Sequence, residues 1–259
     1  MSDWKCRLVA LLALTPAFAL APPLLAQRTL RIAAAADLQP ALPPLIASFE
    51  QQTGIRVLAS YQSSATLATQ ITQGAPFDLF MAADLSFPQR VIAAGKAEQV
   101  APIPYARGTL VLWTRNDSGV KNLSLIALRD PAVRSIAIAN PEHAPYGRAA
   151  QAALRKAGLM AAVRSRLRIA ENIAQAAQYA DSGNAQVGFI SLASALAPRL
   201  SADGRCVRIP AGDYPPLLQG AVVIRGSAGA KDARRFLDFL RTPAAAHSLA
   251  ARGLEPILR

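Results

Sequence analysis

The chain predicts an α/β fold of two lobes, each a mostly parallel sheet flanked by helices, and three observations carry this. From Gln27 onward, short β-type runs alternate with helical ones, the order expected of βα units whose sheet is covered on both faces. A second series of the same kind opens with "GTLVLWT" at 108–114. No low-complexity linker and no repeat of fixed period separates the two series, so lobes joined by crossing strands fit better than separate beads. With 259 residues and 52% hydrophobic content, the chain has enough apolar surface to fill both cores.

The elements follow in order. Residues 1–26 read as an export leader: Lys5 and Arg7 form a basic head, "LVALLALTPAFALA" is the apolar stretch, and "LLA" ending at Ala26 offers small residues for cleavage. Pro16 interrupts the apolar run, which falls short of the ~20 residues a bilayer span requires; an exported, soluble mature chain is expected. Lobe one begins with "TLRIAAAA" and "LPPLIASFEQQTG", then "IRVLASY" and "ATLATQITQG", then "FDLFMAA" and "LSFPQRVIAAG". The Pro43–Pro44 pair is expected to break or delay its helix. Lobe two continues from "GTLVLWT" through "SIAIAN", "YGRAAQAALRKAG", "RLRIA", "IAQAAQYADSG", "AQVGFI" and "CVRIP". The strand "GAVVIRG" then returns to lobe one, and "AKDARRFLDFLRTPAAAHSLAARG" reads as two helices broken at Thr242–Pro243. The expected organisation is therefore a leader at 1–26, lobe one at 27–107 and 217–259, and lobe two at 108–216.

Composition narrows the function. A net charge of +12 invites a nucleic-acid reading, but the arginines are scattered and aromatics are only 6%, so a solvated basic surface that attracts anions fits better. Cys6 leaves with the leader, and Cys206 remains alone, which rules out an intramolecular disulfide. Cys206 is expected to be a small buried residue. No cluster of His, Cys and carboxylate has a recognised metal spacing. Ser64, His143 and a carboxylate would make a hydrolase triad only without the G-x-S-x-G elbow, and His143 reads as a turn residue between Glu142 and Pro145. Neither an enzyme nor a cofactor is expected.

The candidate site lies where strands hand over to helices. Asp37 follows "RIAAAA", Ser63 and Ser64 follow "VLASYQ", Pro145 and Tyr146 stand in "PEHAPYG", Asn172 and Ile173 follow "RIAE", and Ser191 follows "VGFI". Each alone is a serviceable helix cap or first helical residue. As a set they imply more, because strand carboxyl ends line the ligand crevice of open α/β sheets, and helix N-termini there present free N–H groups and partial positive charge. Two lobes facing each other would make a cage of donors for a compact anion, with no Lys or Arg inside it. Ser64 is read as the N-cap of its helix, which Gly74 stops.

"AAADL", "SSATLATQITQGAPFDLFMAAD", "YARGTLVLW" and "IANPEHAPYGRAAQAAL" resemble the periplasmic molybdate-binding proteins that feed ABC transporters, over about Thr29 to Leu258. The resemblance implies a type II periplasmic-binding-protein fold and one oxyanion, molybdate or tungstate, held between the lobes by hydroxyls and backbone amides. It also implies a periplasmic monomer whose partners are a membrane permease and its ATPase. The family's second ligand serine falls on Ser64. The residue of the "HAPYG" turn whose amide faces the anion, with a tyrosine hydroxyl in some members, falls on Tyr146, and the hydrophobic residue donating a backbone amide falls on Ile173. Two positions depart: Asp37 stands where the family usually has Ser or Asn, and Ser191 where many members have a ligand tyrosine. For Asp37 three outcomes are open. Its side chain turns away and caps its own helix while its N–H serves the anion, or it is protonated and donates, or the ligand brings it a proton. The first needs no unusual pKa and leaves affinity flat from pH 6 to 8; the last would suit hydrogen phosphate, which, unlike molybdate or sulfate, carries a proton at neutral pH.

Overall fold

The computed structural model describes residues 29–257; the expected leader lies outside them. The first sheet takes β1 (Thr29–Ala35), β2 (Arg56–Gln62), β3 (Leu79–Ala82), β4 (Ile103–Gly108), β10 (Leu217–Val223) and β11 (Glu255–Pro256). The second takes β5 (Leu110–Arg115), β6 (Ile136–Ala139), β7 (Leu167–Ala170), β8 (Val187–Ser191) and β9 (Gly204–Arg208). Their orders are β11-β4-β10-β3-β1-β2 and β7-β6-β8-β5-β9. Every residue of β3, β6 and β8 is buried, as strands covered on both faces require.

The sheets are more mixed than the expected mostly parallel ones. β1 runs parallel to β2 and β3, and β6 parallel to β7 and β8. In contrast, β10 is antiparallel to β3 and β4, and β5 antiparallel to β8 and β9. The chain leaves the first sheet from β4 to β5 and returns from β9 to β10, and these crossing strands enter against the direction of the βα units. β4 and β11 complete the first sheet; both are strands that the alternation of runs leaves unmarked.

Helices α1 (Leu42–Thr53), α2 (Ser64–Thr72) and α3 (Ser86–Ala93) belong to the first lobe, and α4 (Pro145–Lys156), α5 (Met160–Val163), α6 (Ile173–Asp181), α7 (Leu192–Ala195) and α8 (Pro198–Asp203) to the second. α9 (Ala230–Leu240) and α10 (Pro243–Ala251) return to the first, where Phe49 of α1 meets Phe236 and Phe239 of α9 edge-on at 5.0 and 5.5 Å. Pro43 and Pro44 delay α1 rather than breaking it, since they occupy its first turn, where a missing N–H costs no intrahelical bond. The break at Thr242–Pro243 stands, with Thr242 Oγ1 accepting from Ala245 N at 3.3 Å. Cys206 is a correction: it is exposed, because β9 is an edge strand paired only with β5. Among the described residues no helix is long and apolar enough to cross a membrane.

One glycine sets how closely α4 approaches its sheet. A Cβ at Gly147 would overlap the Ala139 carbonyl at the end of β6, with backbone carbons of Ala139 and Asn140 both at 2.8 Å. The bare Cα lets the first turn of α4 rest on that strand end. Gly147→Ala is expected to cost roughly 1–3 kcal/mol through overpacking, read as a lowered urea midpoint with an unchanged slope.

Candidate functional site

A small, nearly filled cavity of about 10 Å³ lies between the lobes. Ala35–Asp37, Gln62–Ser64 and Ala83 line it from lobe one, and Ala144–Tyr146 with Asn172 and Ile173 from lobe two. These residues follow the carboxyl ends of β1, β2, β3, β6 and β7. The parallel register brings Ala35 beside Gln62 at one level, which is why two successive strand ends open on the same spot.

Three helices begin at this cavity. Ser63 has extended backbone (φ −63°, ψ 147°) and is the N-cap of α2, accepting from Thr66 N at 3.2 Å. This corrects the reading of Ser64 as the cap. Only the residue just outside the helix can aim its oxygen at an N–H three positions on, and Ser64 is already the first helical residue. The buried Ser64 hydroxyl instead accepts from Ala83 N at 3.1 Å, tying α2 to the end of β3 and keeping its own O–H to donate. At α4, Pro145 is the first residue and Tyr146 the second. At α6, Asn172 caps by accepting from Gln175 N at 3.0 Å, and Ile173 is the first residue. The N–H groups of Ser64, Tyr146 and Ile173 have no acceptor within their own helices, and all three residues line the cavity.

Among the described residues, no Lys, Arg or His lines this space. Its electrostatics come from helix ends and hydroxyls, which favour negative charge without a counter-ion. The structure does not bring Ser191 to the cavity: its hydroxyl caps α7, accepting from Ser194 N at 3.1 Å and touching Ser194 Oγ at 2.9 Å.

Asp37 lines the cavity but does not cap. The short 3-10 turn Ala36–Leu38 has Ala35 as its N-cap and no side-chain cap bond. Asp37 sits inside that turn, fully buried, and its Oδ2 accepts from the Gln219 amide of β10. The Tyr146 hydroxyl lies beside the carboxyl, although Tyr146 Oη and Asp37 Oδ1 complete no strict hydrogen bond. Burial pushes the Asp37 carboxyl up to about 6, against the opposing help of Gln219, Tyr146 and its own backbone N–H. Gln219 is a partner that sequence reasoning misses; its one signal is a lone amide inside the otherwise apolar strand "LLQGAVV".

The lobes touch across the cleft. Ala65 N donates to His143 O at 3.1 Å, and Thr66 Oγ1 to Glu171 Oε1 at 3.4 Å. His143 thus serves as a turn residue and inter-lobe acceptor, its Nδ1 lying 3.5 Å from Glu171. Arg148 of α4 pairs with Asp84 beyond β3, and its guanidinium lies 5.2 Å from the Phe87 ring centre. A wider hollow between Gly119 and Val133 is built by one stretch of lobe two and receives none of these helix starts.

The model of the bacterial extracellular solute-binding proteins matches residues 30–255. The chain belongs to that family. It is 35% identical over 199 residues to the molybdate-binding protein ModA of Rhodobacter capsulatus, covering 77% of each chain. It is 33% identical over 223 residues to ModA of Azotobacter vinelandii, covering 86% of this chain and 88% of the relative. The solved Azotobacter vinelandii periplasmic molybdate-binding protein superposes with a TM-score of 0.82 at 31% identity, over 89% of this chain and 99% of that one. The fold is accordingly the type II periplasmic-binding-protein fold.

The Arg148 clasp has a measurable consequence. A partly exposed ion pair or cation–π contact is worth ~0.5–1 kcal/mol, so Arg148→Ala is expected to move the ligand-free protein toward open lobes by roughly 2- to 5-fold in population. Spin labels on Cys206 in lobe two and on Gln52→Cys in lobe one read this directly as a longer mean distance; an unchanged distribution would show that the clasp does not hold the lobes.

Proposed function

We propose that this protein captures molybdate, and tungstate equally, outside the cytoplasm and delivers it to an ABC transporter. The observation that carries the reading is the composition of the cavity wall: hydroxyls and helix-start N–H groups from both lobes, and no basic side chain. Apart from the Asp37 carboxyl and the side-chain amides of Gln62 and Asn172, such a wall offers N–H and O–H donors, which suits a tetrahedral anion that is fully ionised at neutral pH. The relatives named for molybdate, alike over most of this chain, choose among such anions. In this reading the Ser64 hydroxyl and N–H and the backbone N–H groups of Asp37, Tyr146 and Ile173 hold the oxygens. Ser191 supports the end of β8 without touching the anion.

The rest of the assignment follows from that role. The chain acts as a periplasmic monomer after cleavage near Ala26, carries no catalytic step, and docks on a membrane permease driven by an ATPase. Lobe closure around the anion is the signal such a permease would read, because both halves of the cage are needed to complete the site.

Calorimetry of the mature protein with molybdate, tungstate, sulfate and phosphate is the test. Molybdate and tungstate are expected to bind alike and more tightly than the other two. Hydrogen bonds to a charged group contribute ~1.5–3 kcal/mol each, so Ser64→Ala is expected to weaken molybdate binding by roughly 10- to 150-fold. Unchanged affinity would remove Ser64 from the site, and a preference for phosphate would overturn the choice of anion.

A further inference from the structure

Behind the cavity wall, three buried polar atoms lack partners: Asp37 Oδ1, Tyr146 Oη and Gln219 Oε1. They form one cluster. The Tyr146 hydroxyl bears directly on the Asp37 carboxyl, the Gln219 amide donates to Asp37 Oδ2, and a side chain at Gly108 would collide with Tyr146 Oη while standing 3.2 Å from Gln219 Nε2. Buried polar groups left without partners are costly, so the inventory of donors matters.

With Asp37 ionised, the cluster is short of donors. The Gln219 amide is committed to Oδ2, the Asp37 N–H that also leans on this carboxyl is drawn to the anion, and the single Tyr146 O–H must choose between Asp37 Oδ1 and Gln219 Oε1. Turning the Gln219 amide over only sets its oxygen against the carboxylate. One added proton on Asp37 removes the deficit. With Gln219 N–H already on Asp37 Oδ2, Asp37 Oδ1–H would donate to Tyr146 Oη, which frees the Tyr146 O–H to turn to Gln219 Oε1; small rotations of these three side chains would close a ring in which each of the three atoms is paired.

We propose that the Asp37 carboxyl is a proton-binding site that fills when the lobes close on the anion, so that the protein takes up one proton with each oxyanion it captures. The inference rests on the anion-binding role proposed above and adds an affinity-determining group to it. Asp37 and Gln219 come from lobe one and Tyr146 from lobe two, so the ring exists only in the closed form. Opening withdraws the phenol and admits water, and the carboxyl returns toward an ordinary acidity. An anion in the cavity adjoins residue 37 and opposes a second negative charge there.

The surroundings supply no cation to keep the carboxylate charged. The groups acting on it are Gln219, Tyr146 and its own N–H, and even without an anion its pKa stands at about 6. Among neighbouring phenols, Tyr105 already donates to Ala82 O at 3.2 Å and Tyr214 Oη accepts from Leu110 N at 3.1 Å. Of the titratable residues on the elements packed against the turn, Arg56 and Tyr61 of β2 and Tyr179 and Asp181 of α6 are not among the groups that move it. The sign follows from linkage. The closed, loaded form binds more protons than the open form, so affinity falls as pH rises, by up to about tenfold per unit between the two Asp37 pKa values. Reciprocally, the anion tightens the proton. The pH-independent affinity expected if the side chain merely caps a helix is replaced by this slope, which reaches up to about pH 6 and further as the anion raises the carboxyl pKa.

The test is calorimetry of the mature protein with molybdate at pH 6.0, in buffers of different ionisation enthalpy, together with dissociation constants from pH 5.0 to 7.5, the window set by an Asp37 carboxyl raised from the ordinary carboxylate range to about 6. The parent is expected to take up about half a proton or more per molybdate at pH 6.0 and to lose roughly tenfold or more in affinity across that range. Asp37→Asn reproduces the ring with an amide N–H in place of the carboxyl proton; it is expected to take up none and to bind more tightly than the parent at pH 7.5. Asp37→Ser, which removes the carboxyl in a smaller side chain, is expected to lose the uptake too. Tight molybdate binding by the parent with no proton uptake and a flat profile would overturn the inference while leaving the anion reading intact. Absence of heat with every oxyanion would sink both, and phosphate binding that Asp37→Asn abolishes would make the carboxylate an acceptor for the ligand's own proton, contrary to the ring.

Discussion

The first N–H groups of a helix have no acceptor within it, and the organisation of this protein depends on where those groups are sent. α2, α4 and α6 start at the same crevice, two lobes contributing to one wall. Because each helix follows a parallel strand, its start lies at that strand's carboxyl end, and the sheets need only face each other for the N–H groups to converge. Small residues make the convergence possible: the run Ala33–Ala36 brings the end of β1 to the wall, and bare Gly147 seats α4 on β6. Where a donor is not needed there it is spent locally, as with Thr66 N on Ser63 and Gln175 N on Asn172.

Dividing the wall between lobes makes recognition conditional on closure. Neither half alone surrounds a tetrahedral anion, and among the described residues the crossings from β4 to β5 and from β9 to β10 are the covalent links between the two sheets. The polar contacts that close the cleft are mixed: a backbone bond from Ala65 to His143, a hydroxyl on Glu171, and the Arg148 pair with Asp84 over Phe87, beside apolar packing of Ala35, Ala36 and Ala83 on Ala144, Tyr146 and Ile173. Each is modest, so the closed state remains sensitive to what lies between the lobes. Excluding Lys and Arg from the wall serves the same end, since a buried cation would require a counter-charge whenever the cleft stood empty.

The polar cluster of Asp37, Tyr146 and Gln219 is the exception to an otherwise economical site. A fully buried carboxyl is expensive, and here it lies next to a negatively charged ligand's position with a phenol and an amide for company. Its neutral form satisfies the neighbours and spares the anion. The raised pKa values of the Tyr105 and Tyr146 phenols, driven first by burial and then by Asp37, keep both as donors, so the cluster has a single group that changes protonation near neutral pH.

The order of the βα units, though not β4 or β11, was legible in the chain, as were the break at Thr242–Pro243, the stop of α2 near Gly74 and the places where strands meet helices. Each rests on hydrogen bonds or apolar periods spanning only a few residues. The convergence of Ser64, Tyr146 and Ile173 was legible too, as three helix starts on parallel strands. What the chain alone left open was direction. Ser63 and Ser64 are the same residue type side by side, and backbone dihedrals decide which one caps and which one faces β3. Ser191 reads like any other strand-end serine, yet its hydroxyl is consumed by α7. Cys206 looks apolar, but its place on an edge strand exposes it. Asp37 finds its partner 182 residues away, a pairing that exists only because β10 returns to the first sheet between β3 and β4. Local patterns specify bonds made within a turn or two of chain, whereas the facing of side chains across a hinge is set by how two completed cores pack.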